Sequence, residues 1–129
     1  MKRFPFRLDH EDSLILLDCK IGSGNFALAL DTGASHTVID VTPLLMIGID
    51  VSRPVRKVEF ETANGVVNAE VFVVPKFSAL GHSVYDFEIC AYDFLANGIV
   101  SEFDGMLGLD FLIGKDLFIS FKRFEISLL

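Results

Sequence analysis

The fold is decided by one stretch of the sequence, Ala27-Leu28-Ala29-Leu30-Asp31-Thr32-Gly33-Ala34-Ser35. Four apolar residues run directly into a carboxylate, a hydroxyl and two small residues. This pattern predicts a strand that carries Asp31 to the edge of a packed core. Thr32 and Gly33 can then offer a hydroxyl and an accessible backbone amide to hold the carboxylate. Taken alone, the stretch is equally compatible with a polar turn between two strands, where Asp and Gly are common.

Short apolar runs separated by turn residues continue on both sides of this stretch. Their length and alternation are typical of strands, and almost no segment shows a sustained helical period. The predicted strands are Leu14–Ile21, Phe26–Leu30, Val38-Ile39, Val84–Ala91, Leu117–Phe121 and Phe124–Leu128. Thr42-Pro43 predicts one helical turn that ends at Gly48. No linker or repeat divides the sequence, so we predict a single domain over residues 1–129.

The segment from Val55 to Val74 carries the clearest hairpin signal. Apolar and polar residues alternate on either side of Asn64-Gly65, and both turn residues tolerate positive φ. We therefore predict a β-hairpin here. Its charged face, which includes Glu59 and Glu61, indicates that it projects into solvent.

A second apolar segment, Asp104–Leu112, contains two bulky apolar residues followed by a glycine, Met106-Leu107-Gly108. By itself this pattern predicts a buried strand that enters a short helix. The order of the motifs is more specific than any one of them, because the hairpin lies between this segment and the Asp31 stretch.

This order and spacing resemble the retropepsin-like aspartic protease family, and the resemblance covers most of the chain. In that family an Asp-Thr-Gly-Ala turn is followed by a flap hairpin and then by an apolar-apolar-Gly segment beside the catalytic turn. The resemblance implies an all-β, closed and barrel-like acid protease fold with a flap hairpin and one short C-terminal helix. It also implies an aspartic endopeptidase that uses no cofactor and no metal.

The resemblance further assigns roles to the matching positions. Asp31 would be the catalytic carboxylate, Thr32 would hydrogen-bond across to the partner's active-site loop, and Gly33 would present its amide to the carboxylate. Ala34 would line the site next to the substrate. The flap tip, which would contact substrate, would consist of Ala63, Asn64 and Gly65. The segment that supports the catalytic turn would consist of Met106, Leu107 and Gly108.

The chemistry explains why one copy of the motif is insufficient. Peptide hydrolysis by this route needs two nearby carboxylates that share one proton, one acting as general base on a water and the other as acid. The sequence has one Asp-Thr-Gly, at Asp31, and Asp104-Gly105-Met106 lacks the hydroxyl residue. We therefore expect a homodimer that contributes Asp31 twice and holds a peptide or protein substrate in extended conformation.

Two positions depart from the viral members of the family. Many of those carry an acidic residue four positions after the catalytic Asp and an arginine just after the glycine of the apolar segment, and the two pair. Here the positions are Ser35 and Leu109. Because both charges are absent together, we expect an apolar or hydroxyl contact in place of the ion pair. The details of the dimer interface stay open, and the pattern is more similar to the cellular or bacterial branch.

Two other functions compete with proteolysis. The serious alternative is a retropepsin-like module that binds peptide or dimerises with little or no proteolytic activity, because fold and activity are separable. The retained Asp31, Thr32 and Gly33 favour activity. A phosphate-binding Asp-x-Gly loop of the sugar-kinase and actin-like class is disfavoured, because such folds need two large lobes and a βαβ alternation.

Composition excludes several classes of function. A formal net charge of -7 argues against a nucleic-acid partner, which would require a basic patch. The three histidines are isolated and suggest no metal site, while Cys19 and Cys90 are expected to be buried thiols. No apolar run is long enough to span a membrane or to serve as a signal peptide, so we expect no membrane partner and a cytoplasmic location.

Overall fold

The computed structural model describes residues 1–62 and 65–129. Within them the chain forms eleven strands, two short helices and one 3-10 turn. In chain order these are β1 (Phe4–Pro5), β2 (Arg7–Leu8), β3 (Ile15–Ile21), β4 (Gly24–Leu30), β5 (Val38–Asp40), α1 (Val41–Met46), β6 (Arg56–Thr62), β7 (Gly65–Ala79), β8 (His82–Tyr92), the 3-10 turn (Leu95–Asn97), β9 (Gly105–Leu107), α2 (Leu109–Leu112), β10 (Leu117–Ser120) and β11 (Glu125–Leu128).

Six of the strands close into a barrel in the order β3-β4-β9-β5-β8-β7, and β7 pairs with β3 to complete the ring. The closing register runs from Cys19 opposite Ala79 to Ile21 opposite Phe77. Two pairings, β4 with β9 and β5 with β8, are parallel, and the other four are antiparallel. Strands β2 and β6 extend the sheet outside the ring. The predicted closed, mainly β architecture is confirmed.

The predicted hairpin is formed by β6 and β7, which lie antiparallel from Arg56 opposite Val71 to Thr62 opposite Gly65. The exposed side chains of Lys57 and Glu59 agree with a hairpin that reaches into solvent. The connecting residues 63 and 64 lie outside the described part of the chain.

The side chains of the long strands divide between two apolar clusters because successive residues of a strand point to opposite faces. The barrel interior contains a large cluster around Phe77, Phe87 and Phe111, whose ring centroids are 5.0 to 6.2 Å apart. A smaller group, here called the second cluster, packs on the other face of β5, β7 and β8 and consists of Val38, Ala69, Val71, Cys90 and Phe94.

The ends of the chain form a separate three-stranded sheet in the order β1-β11-β10, here called the terminal sheet. Both closing strands are shorter than predicted, because residues 121–124 form the turn between them. Phe124 adopts a left-handed conformation with φ of 54°, which ends the extended backbone. The ring of Phe6 packs against Phe121 and Phe124 and covers this turn.

Both predicted helical segments are present. Helix α1 is the turn predicted at Thr42-Pro43; it buries Leu44 and is followed by Gly48 at φ 88°. Helix α2 spans four residues after the apolar-apolar-Gly segment, and two further strands follow it. Both cysteines are free and buried, as predicted.

Candidate active site

Asp31 directly follows strand β4, which delivers it from the barrel wall. Leu28 and Ala29 in that strand are buried, whereas Asp31 itself is half-buried. Strand β9 runs parallel beside β4, with Leu30 opposite Leu107. The Asp31 backbone N–H continues this ladder by donating to the Leu107 carbonyl at 3.0 Å. The apolar run therefore places the carboxylate at the edge of the core, as its pattern predicts.

The turn after Asp31 holds the carboxylate through backbone groups. The Gly33 amide donates to Asp31 Oδ1 at 2.9 Å, and the Ala34 amide donates to the Asp31 carbonyl at 3.1 Å. A Cβ on Gly33 would lie 3.2 Å from the same Oδ1, so a side chain there would crowd the carboxylate. The predicted contact between the Gly33 amide and the carboxylate is present. Thr32 and Gly33 are exposed, and Ala34 is half-buried beside them.

The apolar-apolar-Gly segment lies behind this turn, where the sequence placed it. Leu107 is fully buried, and Gly108 passes so close to residues 34–36 that a Cβ would lie 2.6 Å from the His36 carbonyl group. Immediately after it, the Leu109 amide donates to the Ala34 carbonyl at 2.8 Å. The turn after Asp31 is thus anchored by backbone hydrogen bonds at both of its ends, and only a glycine fits at position 108.

A buried polar contact, which the sequence did not suggest, strengthens this anchor. The Thr37 hydroxyl donates to Asp110 Oδ1 at 2.7 Å, and the Thr37 amide donates to Asp110 Oδ2 at 2.9 Å. The same hydroxyl accepts the Gly108 amide at 3.1 Å. Thr37 is completely buried. The signal was available in principle, because a lone aspartate within the apolar run Leu109–Leu112 requires a donor partner.

The two departing positions, Ser35 and Leu109, take no part in this side-chain contact. The hydroxyl that joins the two segments belongs to Thr37, and its acceptor is the carboxylate of Asp110. Leu109 contributes its backbone amide.

Asp104 fixes the start of β9. Its carboxylate Oδ2 accepts the Ala27 amide at 2.9 Å, and its own amide donates to the Ala27 carbonyl at 2.7 Å. Its carbonyl accepts the Asp40 amide at 2.8 Å. Asp104 therefore ties β4 and β5 together.

Met106 lies directly before Leu107 in strand β9, opposite Ala29 on β4 and Val38 on β5. Its partly buried side chain packs on the second cluster. Of the three predicted support residues, Leu107 and Gly108 contact the Asp31 turn through their backbone, whereas Met106 packs on the second cluster. Of the predicted flap tip, Gly65 begins strand β7, and Ala63 and Asn64 lie outside the described residues.

One exposed contact ties the segment before β9 to the N-terminal loop. The backbone amide and the ring Nδ1 of His10 lie 2.7 and 2.9 Å from Glu102 Oε1. The carboxylate of Glu102 raises the pKa of His10, with smaller contributions from Glu11 and Asp9. In return, hydrogen bonds from His10 lower the pKa of Glu102.

A groove of about 630 Å³ lies away from Asp31. It lies between β7 and α1 and is lined in part by Val41, Leu45 and Val67. Asp31 is half-buried, and Thr32 and Gly33 beside it are exposed.

Neither a metal cluster nor a membrane-spanning helix is found in residues 1–62 and 65–129. No three His, Cys, Asp or Glu side chains there are placed to hold a metal ion. None of the helices there is long and apolar enough to cross a membrane.

The sequence matches the family model described as aspartyl protease over residues 17–111, so the chain belongs to the aspartyl protease family. Among solved structures it is similar to a retropepsin-like aspartic protease from Rickettsia conorii, with a TM-score of 0.70 and 16% sequence identity. That similarity covers 100% of this chain and 99% of the other, and it shows that the fold is retropepsin-like. No curated protein matches the sequence.

Proposed function

We propose that this protein is an aspartic endopeptidase whose active site is completed by two copies of the chain. The observation that carries the proposal is the position of Asp31, held by the Gly33 amide on an exposed turn and anchored from behind by Leu107 and Gly108. A single such half-site supplies one carboxylate. Two copies related by a two-fold axis supply the pair that peptide hydrolysis requires.

The proposed chemistry uses the two Asp31 side chains in different protonation states. Two carboxylates close together cannot both ionise readily, so they share one proton. The ionised carboxylate takes a proton from a water as that water attacks the peptide carbonyl. The protonated carboxyl donates to the carbonyl oxygen, and the leaving nitrogen is protonated as the C–N bond breaks. The Gly33 amide supports this chemistry by fixing the orientation of one carboxylate oxygen.

The proposed substrate is a peptide in extended conformation. The β6–β7 hairpin extends the sheet beyond the barrel, and β6 is the last strand of that sheet. In this proposal the hairpin acts as the flap, closing over the peptide to exclude bulk water and present backbone groups to its main chain. Residues 63–65 would form the flap tip.

The decisive variant is Asp31→Asn, which is nearly isosteric but cannot cycle a proton. We expect it to reduce cleavage of a mixed peptide library at acidic to neutral pH by about a hundredfold or more. The fold and the solution mass should be unchanged. Asp18→Asn is the matched control, because Asp18 lies on barrel strand β3 with its side chain 83% exposed, and it should retain activity.

Near-normal turnover of Asp31→Asn would refute the assignment of the catalytic residue. Wild-type protein that binds peptide in extended conformation without cleaving it would instead favour a peptide-binding module. Ultracentrifugation at micromolar concentration that shows only an active monomer would refute the two-copy site.

A further inference from the structure

The C-terminal strand is enclosed within its own chain. Strand β11 pairs with β1 on one side, Phe4 lying opposite Ile126, and with β10 on the other, Ile119 lying opposite the same residue. Both edges of β11 are therefore occupied before a second molecule is considered. A second copy that joins the terminal sheet must add to one of its two outer strands, β1 or β10.

The outer edge of β1 is poorly suited to pairing. The Phe6 amide donates to the Phe124 carbonyl, so alternation directs the backbone of Phe4 and Phe6 toward β11 and that of Pro5 outward. Proline has no N–H to donate, and proline at an edge strand prevents further pairing. This strand is also only two residues long.

The outer edge of β10 has the opposite character. Asp116 and Leu129 exchange both backbone hydrogen bonds at 2.9 Å, which fixes the phase of the β10–β11 ladder. By alternation, Leu117 and Ile119 then direct their N–H and C=O groups away from β11. No strand in the described part of the chain pairs with this side. Leu117–Ser120 contains no proline and no charge.

Apolar side chains flank this open edge. Phe118 is 48% exposed and Ile119 is 37% exposed, on opposite faces of the strand, and Phe121 just beyond is also exposed. An open strand edge with exposed apolar flanks invites pairing with another chain, and monomeric proteins usually blunt such an edge with charge or proline. The chain blunts β1 in this way and leaves β10 open.

We propose that β10 pairs antiparallel with β10 of a second copy, around a two-fold axis that passes at Phe118. This inference rests on the proposed function, in which the site is incomplete without that copy. The outward groups of Leu117 would then bond those of the partner subunit's Ile119, and the reverse, with all four hydrogen bonds inside β10. The two terminal sheets would become one six-stranded sheet.

The proposed pairing of β10 with the partner's β10, here called the seam, is connected to the catalytic turn by a short stretch of chain. Strand β10 begins five residues after α2 ends. At the other end of α2, the Leu109 amide bonds the Ala34 carbonyl of the catalytic turn. Pairing at β10 would therefore hold the Leu109–Ala34 hydrogen bond of one copy close to the two-fold axis that relates it to the second copy.

A disulfide at the axis tests the seam directly. Residues opposite each other at a non-hydrogen-bonded antiparallel position have Cα atoms about 4.5 Å apart, within the range that a disulfide spans. Phe118→Cys should form a covalent dimer under mild oxidation. Tyr85→Cys is the control, because Tyr85 is 66% exposed on β8, a barrel strand outside the terminal sheet, and it should not cross-link. The native thiols give little background, since Cys19 and Cys90 are buried and burial raises the pKa of Cys19 to about 12.

A proline substitution tests the backbone pairing without a new covalent bond. Ile119→Pro removes an outward N–H that the β10–β11 ladder does not use, whereas Ile119→Ala removes the side chain and keeps the N–H. Two hydrogen bonds per dimer would be lost, so Ile119→Pro should dissociate about thirtyfold more readily than Ile119→Ala. Sedimentation equilibrium measures both dissociation constants, and circular dichroism checks that both variants are folded.

The outcomes separate this inference from the proposed function. A cross-linked dimer through position 118 that cleaves no peptide would support the seam and count against the endopeptidase. An active dimer that does not cross-link at position 118, or equal dissociation of the two Ile119 variants, would overturn the seam and leave the endopeptidase standing. A wild-type chain that stays monomeric would overturn the seam as well.

Discussion

Replacing Thr37 with valine should destabilise the protein. Val has nearly the shape of Thr but cannot donate to Asp110 or accept from Gly108. Both contacts are lost at a site from which water is excluded, because Thr37 is completely buried. The Gly108 amide would then be left without its acceptor.

The size of the effect follows from these two losses. A hydrogen bond to a carboxylate contributes about 2 kcal/mol, and a buried amide left without a partner costs at least about 1 kcal/mol, so we expect a loss of about 3 kcal/mol. For a chain of 129 residues the entropy of unfolding converts this loss into a fall in Tm of about 10 °C. Thr37→Ser keeps the hydroxyl and deletes one methyl group, which costs about 1 kcal/mol, or about 4 °C.

Thermal unfolding by circular dichroism and kcat/KM on a cleaved peptide should be measured on the same preparations. Thr37→Val should also lower kcat/KM below that of Thr37→Ser, because the Thr37 hydroxyl holds Gly108 against the catalytic turn. Equal melting temperatures for the two variants would refute the reasoning, since the hydroxyl is the principal difference between them. A large fall in Tm with unchanged kcat/KM would show that the contact stabilises the fold without positioning the site.

Two further predictions concern the surroundings of the site. Gly108→Ala should lower kcat/KM and Tm together, because its Cβ would lie 2.6 Å from the backbone carbonyl of His36. Gly114→Ala is the control: a Cβ there meets no atom within 4 Å, so this variant should lose stability only through its positive φ. Activity and melting assays compare the two variants. The His10–Glu102 contact should be strongest between the lowered pKa of Glu102 and the raised pKa of His10. The stabilisation linked to His10 is present below its ordinary pKa of 6.5 and is lost as pH rises through the raised pKa. The stabilisation linked to Glu102 is present above its ordinary pKa of 4.5 and is lost as pH falls through the lowered pKa. In an NMR titration, Glu102→Gln should bring the pKa of His10 down toward 6.5, and an unchanged pKa would contradict the pairing.

The turn at Asp31 was predictable because its residues interact locally. Asp31, Gly33 and Ala34 are linked by hydrogen bonds over two or three positions, so a short motif contains the whole arrangement. The apolar run before Asp31 predicts its delivery to the edge of the core. The parallel pairing of β4 with β9 joins segments nearly eighty residues apart, and spacing alone does not determine which strands are neighbours. Resemblance to a known family supplied that link.

The Thr37–Asp110 contact shows what a sequence pattern leaves out. These residues are 73 positions apart, and each has an ordinary local interpretation, Thr37 at the start of a strand and Asp110 in the first turn of a helix. Only the approach of β9 to the turn brings them together and buries Thr37. The missing charges at Ser35 and Leu109 were visible in the sequence, whereas the Thr37–Asp110 contact was not. A short pattern therefore describes local departures and leaves out contacts between distant segments.

The terminal sheet extends this argument from contacts to assembly. The sequence predicts the two closing strands and a homodimer, but it does not tell whether the terminal strands pair within one chain or between two. The register decides it, because Ile126 lies opposite both Phe4 and Ile119 of its own chain. Once both sides of β11 are occupied, the remaining edges differ by one residue type, since Pro5 closes β1 and no proline closes β10. The site of assembly thus depends on which backbone N–H groups remain unpaired, a property that only the ladder of hydrogen bonds defines.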